Sequence, residues 1–168
     1  HDQTAPLIEA RRADAVRAGY KQVLPSAGQL TDEQASGKRI VAVKRSESAG
    51  QTNGYIYTVD PDGYSGKVVI MLGIEHPSAR ISGVKILQQH ETPGLGAKCT
   101  EPAFIDQFLG KDLSQELIVS KNAAKPQEIQ AITASTITSK AVVKGINAAR
   151  SHYHEHFGVS LAAAGKGV

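Results

Sequence analysis

The chain has no tryptophan, one cysteine and one methionine, and only three Phe and five Tyr in 168 residues. A single cysteine, Cys99, excludes an intrachain disulfide and any cluster of thiolate metal ligands, and reads as a small packed residue. The few aromatics are not interleaved with a basic patch: Lys and Arg are scattered, and 19 of them against 16 acids give a net charge of only +3. That argues against a nucleic-acid surface. No run approaches the roughly 20 apolar residues of a membrane span, and no Gly-x-Gly-x-x-Gly dinucleotide fingerprint follows a strand. Internal repeats are absent. What is present is ordinary for a globular domain, with 40% hydrophobic and 21% charged residues and enough length for one core. The chain begins at His1-Asp2 rather than Met, which suits a processed form that has lost an N-terminal anchor.

Periodicity organises the rest. Residues Ala5 to Leu24 read as a helix closed by Pro25, with an apolar stripe of Leu7, Ala10, Ala15, Ala18 and Val23. The polar stretch Ala27 to Gly37 reads as a loop. Strands are predicted over 38–45, 54–59, 67–74 and 80–88, with the third the most apolar and therefore central. Asp60-Pro-Asp-Gly63 is a turn signal, and the spacing predicts an antiparallel meander. Pro102 to Leu109 reads as a short helix, 117–119 as a short strand and 122–127 as a connector. A packed amphipathic helix runs from Thr138 or Ser139 to about Phe157, on Val142, Ile146, Ala149, Tyr153 and Phe157. The expected fold is α+β, an antiparallel sheet flanked by helices. The expected organisation is an N-terminal helix and linker at 1–37, the domain proper at 38–158 and a flexible tail at 159–168.

Two segments carry chemistry. Thr133 to Ser139 places five hydroxyls in seven positions just where the last helix begins. A helix N-terminus offers unpaired N–H groups and a partial positive charge, so it suits a phosphate. A hydroxyl there can cap the helix, bind a phosphate or be esterified by one. Capping by Thr138 or Ser139 explains one hydroxyl of the five. The second segment is Glu91-Thr-Pro-Gly-Leu-Gly96, a loop stiffened by Pro93, with Gly94 and Gly96 permitting close backbone approach. Leu95 is an apolar side chain in a loop that should be polar, which suits contact with a flat ring. Taken alone, the same loop is simply a tight connection after a strand.

Glu91-Thr-Pro-Gly-Leu-Gly96, followed about 40 positions later by Thr133-Ala-Ser-Thr-Ile-Thr-Ser139, resembles the FMN-binding domain of membrane redox complexes. That family includes the G subunit of Rnf-type electron transport complexes and the C subunit of the sodium-translocating NADH:quinone oxidoreductase. The resemblance covers roughly 54–150. It implies an electron-transport flavoprotein whose FMN is joined through its phosphate to a threonine hydroxyl, in a motif Asp-x-x-Ser/Thr-Gly-Ala-Thr. On this chain the ester falls on Thr136 and Thr133 takes the Ser/Thr position. Ser135, Ile137, Thr138 and Ser139 complete the cofactor-binding set with Glu91, Thr92, Gly94, Leu95, Gly96 and Lys98; Lys121 is a further helper. Gln130 stands at the acidic position, Ala134 at the Gly and Ser135 at the Ala. Glu128 is the nearest carboxylate. Ala134 restricts the turn only if that residue needs a positive φ.

The resemblance further implies partner subunits of an ion-translocating membrane complex, a flavin transferase for maturation and an extracytoplasmic location beside the cell membrane. Two other readings stay open: an FMN-binding sensory or regulatory domain, and a stand-alone flavin reductase with loosely held FMN. No residue is assigned a catalytic role and no metal is expected. His152 and His156 share a helix face, but without a Glu-x-x-His pattern they read as helix-terminus histidines, with His154 beside them. His90 reads as structural at a strand end. Tyr55, Tyr57 and Tyr64 are expected to pack on the sheet.

Overall fold

A computed structural model describes residues 18–158 of the chain. Residues 18–23 are helical, which agrees with the end of the expected first helix; its stripe at Leu7, Ala10 and Ala15 lies outside the described residues, as does the tail. The centre of the domain is a five-stranded sheet in the order β1-β2-β3-β4-β5, antiparallel throughout. Its strands are β1 (Gln29–Glu33), β2 (Ile40–Ser48), β3 (Gln51–Val59), β4 (Val69–Glu75) and β5 (Arg80–Gln88). A short parallel pair, β6 (Ile118–Ser120) and β7 (Glu128–Gln130), stands apart. Helix α1 (Pro102–Ile105) is flanked by 3₁₀ turns at Gly96–Thr100 and Asp106–Phe108, and α2 (Thr136–His156) is the long packed helix.

The expected meander is therefore observed, with one strand more than expected. The stretch 27–37, expected as a loop within a linker, contains β1. Its polar side chains fit an edge strand: Asp32 pairs with Lys44, and Glu33 accepts from Arg45 at 3.1 Å. Cross-strand charges stabilise such an edge where apolar alternation is missing. The turn signal at 60–63 also acts later than expected. The chain reverses in a small loop closed by Gly63 N–H to the Gly66 carbonyl at 2.7 Å and by the Asp62–Lys67 bridge.

The main core lies between one sheet face and α2. Val59, Ile70, Leu72 and Ile74 meet Val142, Ile146, Ala149 and Tyr153 there, with Phe104 and Phe108 closing one side. Tyr55 and Tyr57 are buried as expected. On the opposite face Val23 and Leu24 pack with Ile56 and Met71. Glycines in the strands permit this second contact: a Cβ on Gly73 would stand 2.2 Å from the Val23 carbonyl oxygen, and one on Gly83 2.7 Å from Val23 Cα. The backbone of residues 22–24 thus lies directly on the sheet, and Ser82 donates a hydrogen bond to the Val23 carbonyl at 2.5 Å.

Candidate functional site

The N-terminus of α2 meets the loop that leaves β5. Pro93 and Gly94 hold the two corner positions of a turn closed by Leu95 N–H to the Thr92 carbonyl at 3.0 Å, and Gly94 has φ +80°. Proline followed by a positive-φ glycine is the signature of a type II turn. Gly96, which follows, is buried; a Cβ there would lie 2.5 Å from Thr138 Oγ1, 2.8 Å from Glu91 Cβ and 3.1 Å from Ser135 Oγ. Only glycine lets the loop sit this close to the helix start.

Glu91 fastens the assembly. It is 5% exposed, and its Oε1 accepts from Thr138 Oγ1 and from Tyr64 N–H, both at 2.6 Å. Oε2 accepts from Ser65 N–H at 2.7 Å. Burial pushes this carboxyl upward, but the bonds from Thr138, Ser65 and Tyr64 outweigh it and hold the group below the usual glutamate value. Gly63 permits the approach, since a Cβ there would meet Glu91 Oε1 at 2.5 Å.

Between these elements is a cavity of about 370 Å³, lined by Tyr64, Glu91, Thr92, Leu95, Gly96 and the residues 134–138. It lies within the size range of small-molecule sites, about 300–1,000 Å³. Leu95, Ile137 and Tyr64 are exposed at its rim, 41%, 56% and 71% respectively. Tyr64 therefore does not pack on the sheet as expected; the turn that Glu91 holds carries it out to the rim. Neither Tyr64 nor Ser65 was marked by periodicity or motif spacing, and the Gly63-Tyr64-Ser65-Gly66 run was the signal available.

The hydroxyls divide in three ways. Thr136 is the first residue of α2, half-buried, and lines the cavity. The helix starts two or three residues earlier than expected, so Thr138 and Ser139 are not caps. Thr138 donates to Glu91, while Ser139 Oγ donates to the Ser135 carbonyl at 3.0 Å and accepts from Ile132 N–H at 2.8 Å. Ser135 occupies the cap position but makes no side-chain cap bond. The first-turn N–H groups are thus left for another acceptor. Ala134 has φ +61°, so this turn does require a left-handed residue, and a side chain occupies a conformation suited to glycine.

Thr133 and Lys98 fall outside this cavity and line a neighbouring one of about 440 Å³ together with Gln130. Gln130 is exposed, and its backbone is clamped by Gln107 through bonds of 2.8 and 3.2 Å. Gly94 and Ser139 shape the walls without lining the cavity, and Lys121 lines neither space. Glu128 accepts from Ala124 and Lys125 N–H, both at 2.9 Å, in its own loop. His90 bonds Gln88, not the cavity. Cys99 is fully buried and its thiol is pushed up to about 11 by that burial, consistent with a packed residue. Among the described residues no group of three or more metal-ligating side chains occurs.

An apolar-rimmed cavity at a bare helix N-terminus fits a flat ring bearing a phosphate, and comparison with known proteins shows a family that binds such a molecule. The FMN-binding domain family matches residues 63–151. The chain belongs to this family. Its cofactor is FMN. Over 160 residues this FMN-binding domain is 36% identical to the G subunit of the Na(+)-translocating ferredoxin:NAD(+) oxidoreductase complex of Acetobacterium woodii, covering 86% of this chain and 76% of the relative. It is 34% identical over 103 residues to the G subunit of the proton-translocating ferredoxin:NAD(+) oxidoreductase complex of Clostridium ljungdahlii, covering 61% of this chain and 55% of that protein. Among solved structures, the C subunit of the Na(+)-translocating NADH-quinone reductase from Parabacteroides distasonis superposes with a TM-score of 0.58 at 28% identity. The match covers 67% of this chain and 60% of that protein. NqrC of Shewanella oneidensis shares the fold, with a TM-score of 0.56 at 21% identity over 63% of this chain and 53% of its own.

Proposed function

We propose that this FMN-binding domain is the electron-carrying subunit of a membrane ion-translocating oxidoreductase, with its FMN held by a phosphoester to Thr136. The observation that carries this reading is the position of Thr136 at the first residue of α2, lining the cavity opposite the Leu95–Gly96 loop. The flavin supplies the electron chemistry, and the protein supplies anchorage and environment. The uncapped first turn and the helix dipole favour the remaining negative charge of a phosphoester. Leu95, Ile137 and Tyr64 offer the ring apolar contact at the rim. Glu91 and Gly96 hold the loop and the helix start together as the two walls of the cavity.

The relatives named as G subunits of ion-translocating complexes support partner subunits of the same kind here. Membrane attachment through a segment before the described residues, and an extracytoplasmic site, complete the proposal. Among the described residues no helix is long and apolar enough to cross a membrane. Gln130 in place of an acid favours a second reading, FMN held without a covalent bond.

One measurement separates the two. The chain is coexpressed with a flavin transferase, denatured and digested. The expected result is an added mass of FMN less one water on the peptide containing Thr136, absent in Thr136→Ala. An unmodified peptide, with FMN released on denaturation, overturns the ester and supports the non-covalent reading.

A further inference from the structure

A second groove, of about 570 Å³, lies between β6 and α2 and takes no part in the flavin cavity. We propose that it receives an acidic, extended segment of another subunit of the complex as an added β-strand.

The backbone of β6 points to this occupant. Toward β7, Ile118 N–H donates to the Gln127 carbonyl and the Ser120 carbonyl accepts from Ala131 N–H, both at 2.9 Å. Residues of the other parity, Leu117 and Val119, therefore present their N–H and C=O groups on the opposite edge. At Leu117 that edge is already served: Asn147 accepts from its N–H and donates to its carbonyl, each at 2.9 Å. The Asn147 amide thus stands where a strand partner would. One rung further, Val119 has no such partner among the described residues, and Val143, Lys140 and Lys144 of α2 face the same groove. Its free edge needs an extended backbone, not a helix.

Charge selects the side chains. Arg39, Lys140 and Lys144 line the groove against a single acid, Glu116, and none of the three is ion-paired among the described residues. Ile118, 51% exposed, gives the strand an apolar contact beside them. A second copy of this chain would set these cations against their own kind, so it is a poor occupant. Lys140 and Lys144 follow Thr136 at four-residue steps on one face of α2, about 6 and 12 Å along the axis. A segment bound here would bring its subunit close to the flavin; this role, and the membership of a complex, rest on the function proposed above, whereas the docking geometry does not.

The test places a benzophenone amino acid at Ile118 of the full-length subunit in the purified, assembled complex. Illumination is expected to join it to another subunit, within a segment rich in Asp or Glu. Lys140→Glu with Lys144→Glu should cut that yield severalfold, and raised salt should do the same. Both lysines are exposed, and thermal unfolding of the double variant checks that its fold is kept. A crosslink to a second copy, to a neutral, basic or helical segment or to nucleic acid overturns the proposal, as does no crosslink or one insensitive to charge reversal. In-gel flavin fluorescence of the same samples scores attachment at Thr136 separately, so a failed ester and a failed docking site give different results.

Discussion

Replacing Glu91 with glutamine tests the construction of the cavity proposed to hold FMN. Three donors converge on this carboxylate, Thr138 Oγ1 and Tyr64 N–H on one oxygen and Ser65 N–H on the other. A glutamine of the same shape has one carbonyl oxygen and one NH₂. Whichever way the amide turns, its NH₂ faces a backbone N–H of Tyr64 or Ser65 that then has no acceptor. The Thr138 hydroxyl can reverse its role, but the backbone groups cannot. An unsatisfied donor costs about 1–3 kcal/mol when buried, and the lower part of that range applies to the part-buried Tyr64 and Ser65 N–H groups. Weakening of the buried charge-assisted bond from Thr138 adds to it. We expect Glu91→Gln to destabilise the domain by about 2 kcal/mol, or about 4–8 °C in Tm for a chain of this size.

The pH dependence gives an independent readout. Glu91 is held below the ordinary value of 4.5, so its contribution is fully present above that pH and is lost as pH falls through the folded-state value. Denaturant unfolding at neutral pH and at stepwise lower pH should show the wild-type advantage shrinking on acidification. FMN retention should fall with the variant, because the Tyr64 turn and the α2 terminus are no longer tied together. A variant within about 0.5 kcal/mol of wild type at neutral pH would refute the reasoning, since that is the scatter of ordinary surface substitutions.

Two other outcomes are expected. Ala134→Gly relieves a left-handed alanine (φ +61°) at a cost of roughly 1–2 kcal/mol, while glycine gives back roughly 0.5–1 kcal/mol in chain entropy. Chemical denaturation should therefore show a net gain of about 0.5–1 kcal/mol, and a loss would mean the turn tolerates Ala134 without strain. His152 is buried with Nδ1 at 2.8 Å from Tyr57 Oη, and His76 Nδ1 pairs with Tyr153 Oη at 2.8 Å; burial first, then nearby positive charge, holds both below the ordinary value of 6.5. The unfolded chain thus binds more protons, so stability should drop as pH falls below 6.5, with a smaller slope in His152→Gln. An unchanged slope would remove His152 from that account.

Much of the sheet was readable because its strands carry their own apolar runs: Val69 to Ile74 and Arg80 to Gln88 announce themselves by composition and alternation. Strand β1 was not readable, since Gln29–Glu33 is polar and becomes a strand only by pairing with β2. The start of α2 was misplaced for a related reason. Thr138 and Ser139 look like caps in isolation, and only the bonds to Glu91, Ser135 and Ile132 show that they belong inside the first turn.

By itself the sequence determined the meander, the long helix and the two motifs, all of which depend on local pattern and short spacing. Only the tertiary structure decided that Ser135, Thr136 and Thr138 line the cavity while Thr133 and Ser139 do not. It also decided that Glu91 braces the walls, that Tyr64 stands at the rim and that Lys98 and Thr133 line a different space. The reason is physical: hydrogen-bond partners 27 and 47 residues apart carry no periodicity, and the side on which a side chain emerges is fixed by packing.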